Sequence, residues 1–73
     1  MNIYKLETEH WGWDCYKGHI IASNNMREAI KLAQDKSAGE GKKIWEDCEI
    51  KRVGKSYGIG DKPIILLSSF KAG

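Results

Sequence analysis

Four side chains in this 73-residue chain carry the atoms of metal and nucleophile chemistry: His10, Cys15, His19 and Cys48. Zinc sites are built from close ligand pairs, such as two cysteines three positions apart. Cys15 and His19 are four positions apart, and an extended strand would put them on one face about 13 Å from each other. That is too far for two ligands of one ion. The same gap keeps the imidazole from serving as base to the thiol. His10 could fold back onto Cys15, but nothing in the sequence requires it. The expectation is therefore buried small thiols, exposed imidazoles, no metal or other cofactor, and no enzymatic activity.

Two other chemistries fail on spacing. GKSYGIGDK (54–62) is rich in glycine, but it lacks the P-loop spacing and a strand rather than a helix follows it, so no helix N-terminus would receive a phosphate. Trp11, Trp13, Tyr16 and Phe70 with Lys5, Lys17 and Lys71 supply the aromatics and bases of a single-stranded nucleic-acid binder. The sheet-face pattern of such binders is missing, however, and Glu7, Glu9 and Asp14 would repel phosphates.

The elements that position these residues follow from periodicity. NIYKLE (2–7) alternates as a strand, with Ile3, Lys5 and Glu7 on one face and Tyr4 and Leu6 on the other. A second strand runs from Cys15 to Ser23. Asn25 with Glu28 three positions on makes a capping pair. Met26, Ala29, Ile30 and Ala33, widened by Leu32, then recur at helical spacing, which predicts a helix over about 25–37 with Gly39 as its left-handed stop. GEGKK (39–43) reads as a flexible polar loop, and Trp45 beyond it as a plug for the end of the core. DCEIKRV (47–53) alternates as a third strand. Ile64–Phe70 reads as the fourth, and its apolar run predicts a central place in the sheet. The expected fold is α+β: one ββαββ domain whose helix covers one face of a four-stranded, mostly antiparallel sheet.

Composition agrees with one small domain. A chain this short buries only about 60% of its unfolded surface. Twelve basic and ten acidic residues leave a net charge of +2, too little for a strong nucleic-acid or membrane-surface reading. No apolar run approaches the ~18 residues of a membrane span. The start, MNIYKLETEH, lacks the pattern of a signal peptide. With two cysteines that make no disulfide framework, a cytosolic location and no membrane partner are expected.

Several stretches together resemble a family of very small phage and prophage proteins. Trp13-Asp14-Cys15-Tyr16, Ile20-Ile21-Ala22 and Glu28-Ala29-Ile30-Lys31-Leu32-Ala33 are similar to that family's W-D-x-Y-D, V-V-A and E-A-R-x-[IL]-A segments. The ending Ile65–Gly73, with Ser69-Phe70-Lys71-Ala72-Gly73, is similar to its V-[VL]-x-A-S-F-N-A-G. Trp45 and the strand ending Arg52-Val53-Gly54 fall where members carry a Trp and a strand ending in I-G. Lys17 replaces the family's Asp and Lys71 its Asn, so any polar site there has a different charge in this chain. The resemblance implies a phage-borne accessory product acting in the host cytoplasm, and it implies no activity.

If the strands carrying the two ends are neighbours, Trp11, Trp13, Asp14 and Tyr16 meet Ser69, Phe70 and Lys71. The expectation is one concave surface with Trp13, Tyr16 and Phe70 as walls and Asp14 and Ser69 as polar groups, against the plainer reading of all of them as core packing. The leading functional expectation is a non-catalytic phage accessory protein that binds and blocks or redirects a host protein, plausibly a defence component. A nucleic-acid-binding regulator and a protein sequestering a nucleotide signalling molecule are the alternatives. An open four-stranded sheet has two edges, so a homodimer through an edge strand is also expected.

Overall fold

A computed structural model describes residues 1–9, 14–57, 60 and 62–71. The chain runs β1 (Asn2–Glu7), β2 (Cys15–Ser23), α1 (Met26–Asp35), a 3-10 turn (Lys43–Glu46), β3 (Glu49–Lys55) and β4 (Ile64–Lys71). The four strands form one antiparallel open sheet in the order β3-β1-β2-β4. The expected ββαββ order and the single helix on one face are what the structure has. No helix among the described residues is long and apolar enough to cross a membrane.

The core follows from the alternation of the first two strands. Tyr4 stands opposite Ile21, and Leu6 opposite His19. These side chains point to the helix, where Tyr4, Leu6 and Ile21 pack with Ala29, Ala33 and Trp45. Burying a side chain such as Leu6 or Ile21 contributes about 1.5–3 kcal/mol. The two helix alanines let the backbone of α1 come close to the sheet. Met26, expected on the buried stripe, is instead about half exposed, because it opens the first turn, beyond the sheet that Ala29 and Ala33 cover.

The start of α1 is capped reciprocally. Asn25 Oδ1 accepts from the Glu28 N–H at 2.9 Å, and Glu28 Oε1 accepts from the Asn24 N–H at 2.9 Å. The other end differs from expectation. Lys36, not Gly39, is the C-cap, with φ −94°; its N–H reaches Leu32 O, and the Ser37 N–H tightens onto Gln34 O. The left-handed glycine of this segment is Gly41, with φ 79°.

Three further expectations are corrected. GEGKK is pinned rather than flexible: the Gly39 N–H donates to Asp14 O at 2.8 Å, and Glu40 is buried. The third strand begins at Glu49 and runs to Lys55, with Val53 as an extra residue where the register against β1 shifts. Above all, β4 is an edge strand, paired with β2 alone. A continuous apolar run usually marks a strand covered on both faces. Here Ile64, Leu66 and Leu67 are exposed, because α1 covers only one side of the sheet and no strand among the described residues lies beyond β4.

Candidate binding site

The register of β2 against β4 decides what the two ends build. Cys15 lies opposite Lys71, Tyr16 opposite Phe70, Gly18 opposite Ser69, and His19 opposite Ser68. Lys17 is skipped as a bulge between the second and third of these pairs. Tyr16, Phe70, Ser69 and the backbone of Lys71 are thus brought together, with Asp14 at the head of the same strand. Asp14 has φ 57°, a left-handed backbone that Asp tolerates better than most residues. Trp11, Trp13 and His10 lie outside the described residues.

The expected single concave surface is nevertheless divided. Phe70 and Tyr16 face the helix side, with ring centroids 4.8 Å apart. Ser69, the next residue along the pleat, faces the opposite side of the sheet. Alternation separates them by the full thickness of the sheet.

On the helix side the rings continue inward. Tyr16 meets His19 at 5.0 Å, and His19 meets Trp45 at 4.9 Å. The run goes from Phe70, 47% exposed, to Trp45, fully buried. Lys36 places its ammonium 5.4 Å from the Tyr16 ring centroid, a cation–π contact at the end of α1. These rings pack on one another at tilts of 38° to 58°.

His19 was expected to be exposed and is buried, 2% accessible. Its Nδ1 shares a 2.8 Å hydrogen bond with Ser68 Oγ, while Nε2 is buried without a partner among the described residues. Burial pushes its pKa below the ordinary imidazole value, the Lys36 charge pushes the same way, and Glu40 opposes. The ring is neutral near pH 7. Alternation along β2 puts His19 on the inner face with Ile21, opposite Leu6 and Tyr4, and the bulge at Lys17 brings Tyr16 onto the same face.

Glu40 is the residue that sequence reasoning missed. One carboxylate oxygen accepts from the Tyr16 N–H at 3.0 Å and the Ala38 N–H at 3.1 Å; the other accepts from the Trp45 indole at 3.0 Å. Burial alone would raise its pKa, but the N–H groups of Tyr16, Glu40 itself, Trp45 and Ala38 together hold it below the usual carboxylate value. One ionised side chain thereby ties the start of β2, the loop after α1 and the Trp45 turn. The one hint in the sequence was a Glu between two glycines and five residues before a lone Trp.

On the helix-free side lies a groove of about 420 Å³, within the usual ~300–1,000 Å³ range of ligand pockets. Gly18, Ile20 and Leu67 line its apolar part, with Ser69 at one side and Lys5, Glu7 and Lys17 around it. Lys5 and Glu7 pair at 2.8 Å, and the hydrogen bond to Glu7 raises the Lys5 pKa. Gly18 is required by its neighbours: a Cβ there would stand 2.8 Å from Leu6 O. A second groove, about 750 Å³, is lined by Glu7, Glu9, Asp47 and Glu49 at the far end of β1.

Cys15 is buried, and burial raises the pKa of the half-buried Cys48 thiol, which disfavours the thiolate. No group of three or more His, Cys, Asp or Glu converges among the described residues. Comparison with known protein families, curated proteins and solved structures finds no match to this chain.

Proposed function

We propose that this chain is a non-catalytic accessory protein of phage or prophage origin that binds a host protein through the helix-free side of its sheet, acting as a homodimer joined along an edge strand. The phage origin and the host cytoplasm as its place of action rest on the resemblance of the Trp13–Tyr16 and Ser69–Gly73 segments, and obstruction of a host defence component is the role that origin favours. One observation carries the binding surface: Ile64, Leu66 and Leu67 are exposed on or beside a sheet face that no described helix covers. Monomeric proteins seldom leave a contiguous apolar patch of this kind without a partner for it.

The chemistry of the groove favours protein over the alternatives. Apolar walls at Ile20 and Leu67, two serines, a neutralised Lys5–Glu7 pair and the single further charge of Lys17 suit an apolar or aromatic anchor residue with a polar rim. Phosphate binding would need a concentrated positive surface, whereas here a carboxylate sits beside the ammonium. A nucleotide trap would need open aromatic walls, and Tyr16 and Phe70 are packed on each other.

The test is affinity capture from infected-cell lysate with the wild type and with Ile20→Lys, which places a charge on the groove floor while leaving β4 unchanged. The reading expects one host protein to be captured by the wild type and lost with the variant at unchanged circular dichroism. Capture that survives Ile20→Lys, or recovery of nucleic acid that falls away steeply with salt, overturns it.

A further inference from the structure

We infer that β4, and not β3, is the edge along which two copies join, antiparallel about a two-fold axis at Leu67, so that two helix-free grooves merge into one cleft whose central wall is the Leu67 pair. This inference rests on the binding reading above and specifies the dimer it invokes.

The two edges of the sheet differ in their chemistry. In β3, Glu49, Lys51, Arg52 and Lys55 are charged, and all four are exposed. Charged side chains are a device that keeps an edge from pairing; each edge also carries one bulge, at Val53 in β3 and at Leu66 in β4, so charge is what separates them. Self-pairing of β3 about its middle residue would also set Arg52 against Arg52 of the second copy. In β4, IILLSSFK, the one charge is Lys71 at the very end. Antiparallel self-pairing of β4 about Leu67 therefore brings no like charges opposite one another.

Side-chain exposure locates the axis. Leu67 is 67% exposed, the most of any aliphatic side chain described. It stands opposite Ile20 in the register with β2, so its outer flank is the open border of the sheet. A second β4 laid antiparallel against it places Leu67 beside Leu67, their Cβ atoms about 5 Å apart. A two-fold axis perpendicular to the sheet keeps both helices on one side and both grooves on the other. Each groove is bounded inward by Lys5, Gly18 and Ile20. Toward the β4 border Leu67, Ser68 and Ser69 line it, and the second copy's Leu67 would extend that wall.

The contact is one strand long, at the small end of stable interfaces, so the dimer is concentration-dependent. The experiment has three arms. Analytical ultracentrifugation of the wild-type chain across a dilution series should show a reversible monomer–dimer equilibrium. In a Cys48→Ser background, Leu67→Cys should cross-link to a covalent dimer under mild oxidation, whereas Val53→Cys on the other edge should not. Leu66→Lys, an edge charge at the β4 bulge, should abolish dimer while keeping the circular dichroism of the wild type; should that variant fail to fold, the two cysteine variants decide. A wild type that is monomeric at every concentration, or cross-linking through Val53→Cys instead of Leu67→Cys, overturns the inference. A monomer that still captures the host protein sinks the dimer alone, and a dimer that captures none sinks the binding reading alone.

Discussion

Replacing Glu40 by Gln exchanges one carboxylate oxygen for an NH₂ group and removes the charge at the point where three segments meet. The carboxylate accepts three hydrogen bonds, two at one oxygen and one at the other. A glutamine has a single carbonyl oxygen, and its NH₂ would face an N–H wherever the second oxygen stood. At least one buried donor is then unsatisfied, at about 1–3 kcal/mol, and the remaining bonds lose their charge assistance. The expected loss is about 2–3 kcal/mol. A chain of this length has roughly 4–11 kcal/mol in total, and the loss corresponds to a Tm lower by roughly 10–20 °C. Thermal and urea unfolding followed by circular dichroism measures it. The network also predicts coupling: Glu40→Gln should cost about 1 kcal/mol less in a Trp45→Phe background, where the indole donor is already gone.

The pH dependence supplies a second readout of the same group. The folded pKa of Glu40 is lowered, so its contribution is fully present above the ordinary value of about 4.3 and is lost as pH falls through the folded value. The wild type should lose stability there with a slope of up to about 1.4 kcal/mol per pH unit from this group, and Glu40→Gln should lack that component. A loss below about 0.5 kcal/mol, or strict additivity with Trp45→Phe, would refute the view that this carboxylate holds the end of the core together.

Other outcomes follow from neighbouring features. His19 has a lowered folded pKa, so its contribution is present above about 6.5 and lost as pH falls from there; His19→Gln should flatten stability between pH 7.5 and 5.5 relative to the wild type, measured by urea midpoints, and an unchanged pH profile would count against a neutral buried ring. Gly18→Ala should destabilise by about 1–3 kcal/mol, since its Cβ would meet backbone, Leu6 O, at 2.8 Å; amide exchange should show the loss concentrated between β1 and β2. The capture experiment with Ile20→Lys and the cross-linking of Leu67→Cys complete the set.

Local pattern made much of this molecule legible. The bounds of β1 and β2, the Asn25–Glu28 cap, the inward Tyr4 and Leu6 and the plugging role of Trp45 all follow from period and from neighbours within a few residues. Such features depend on backbone geometry and side-chain chemistry that act over one turn or one pleat. The approach of Tyr16 to Phe70 was readable as a condition, given adjacent strands.

Tertiary structure alone decided the rest. Whether Ile64–Leu67 is central or peripheral depends on the order in which the strands pair, and the order β3-β1-β2-β4 puts it at an edge. Whether Tyr16 shares a face with His19 and Phe70 depends on the bulge at Lys17, which a sequence does not mark. That Glu40 and His19 are buried depends on donors and rings brought from β2, the loop and the turn at once. A polar side chain goes inside only where distant segments satisfy or enclose it, and that closure exists only once the chain has folded.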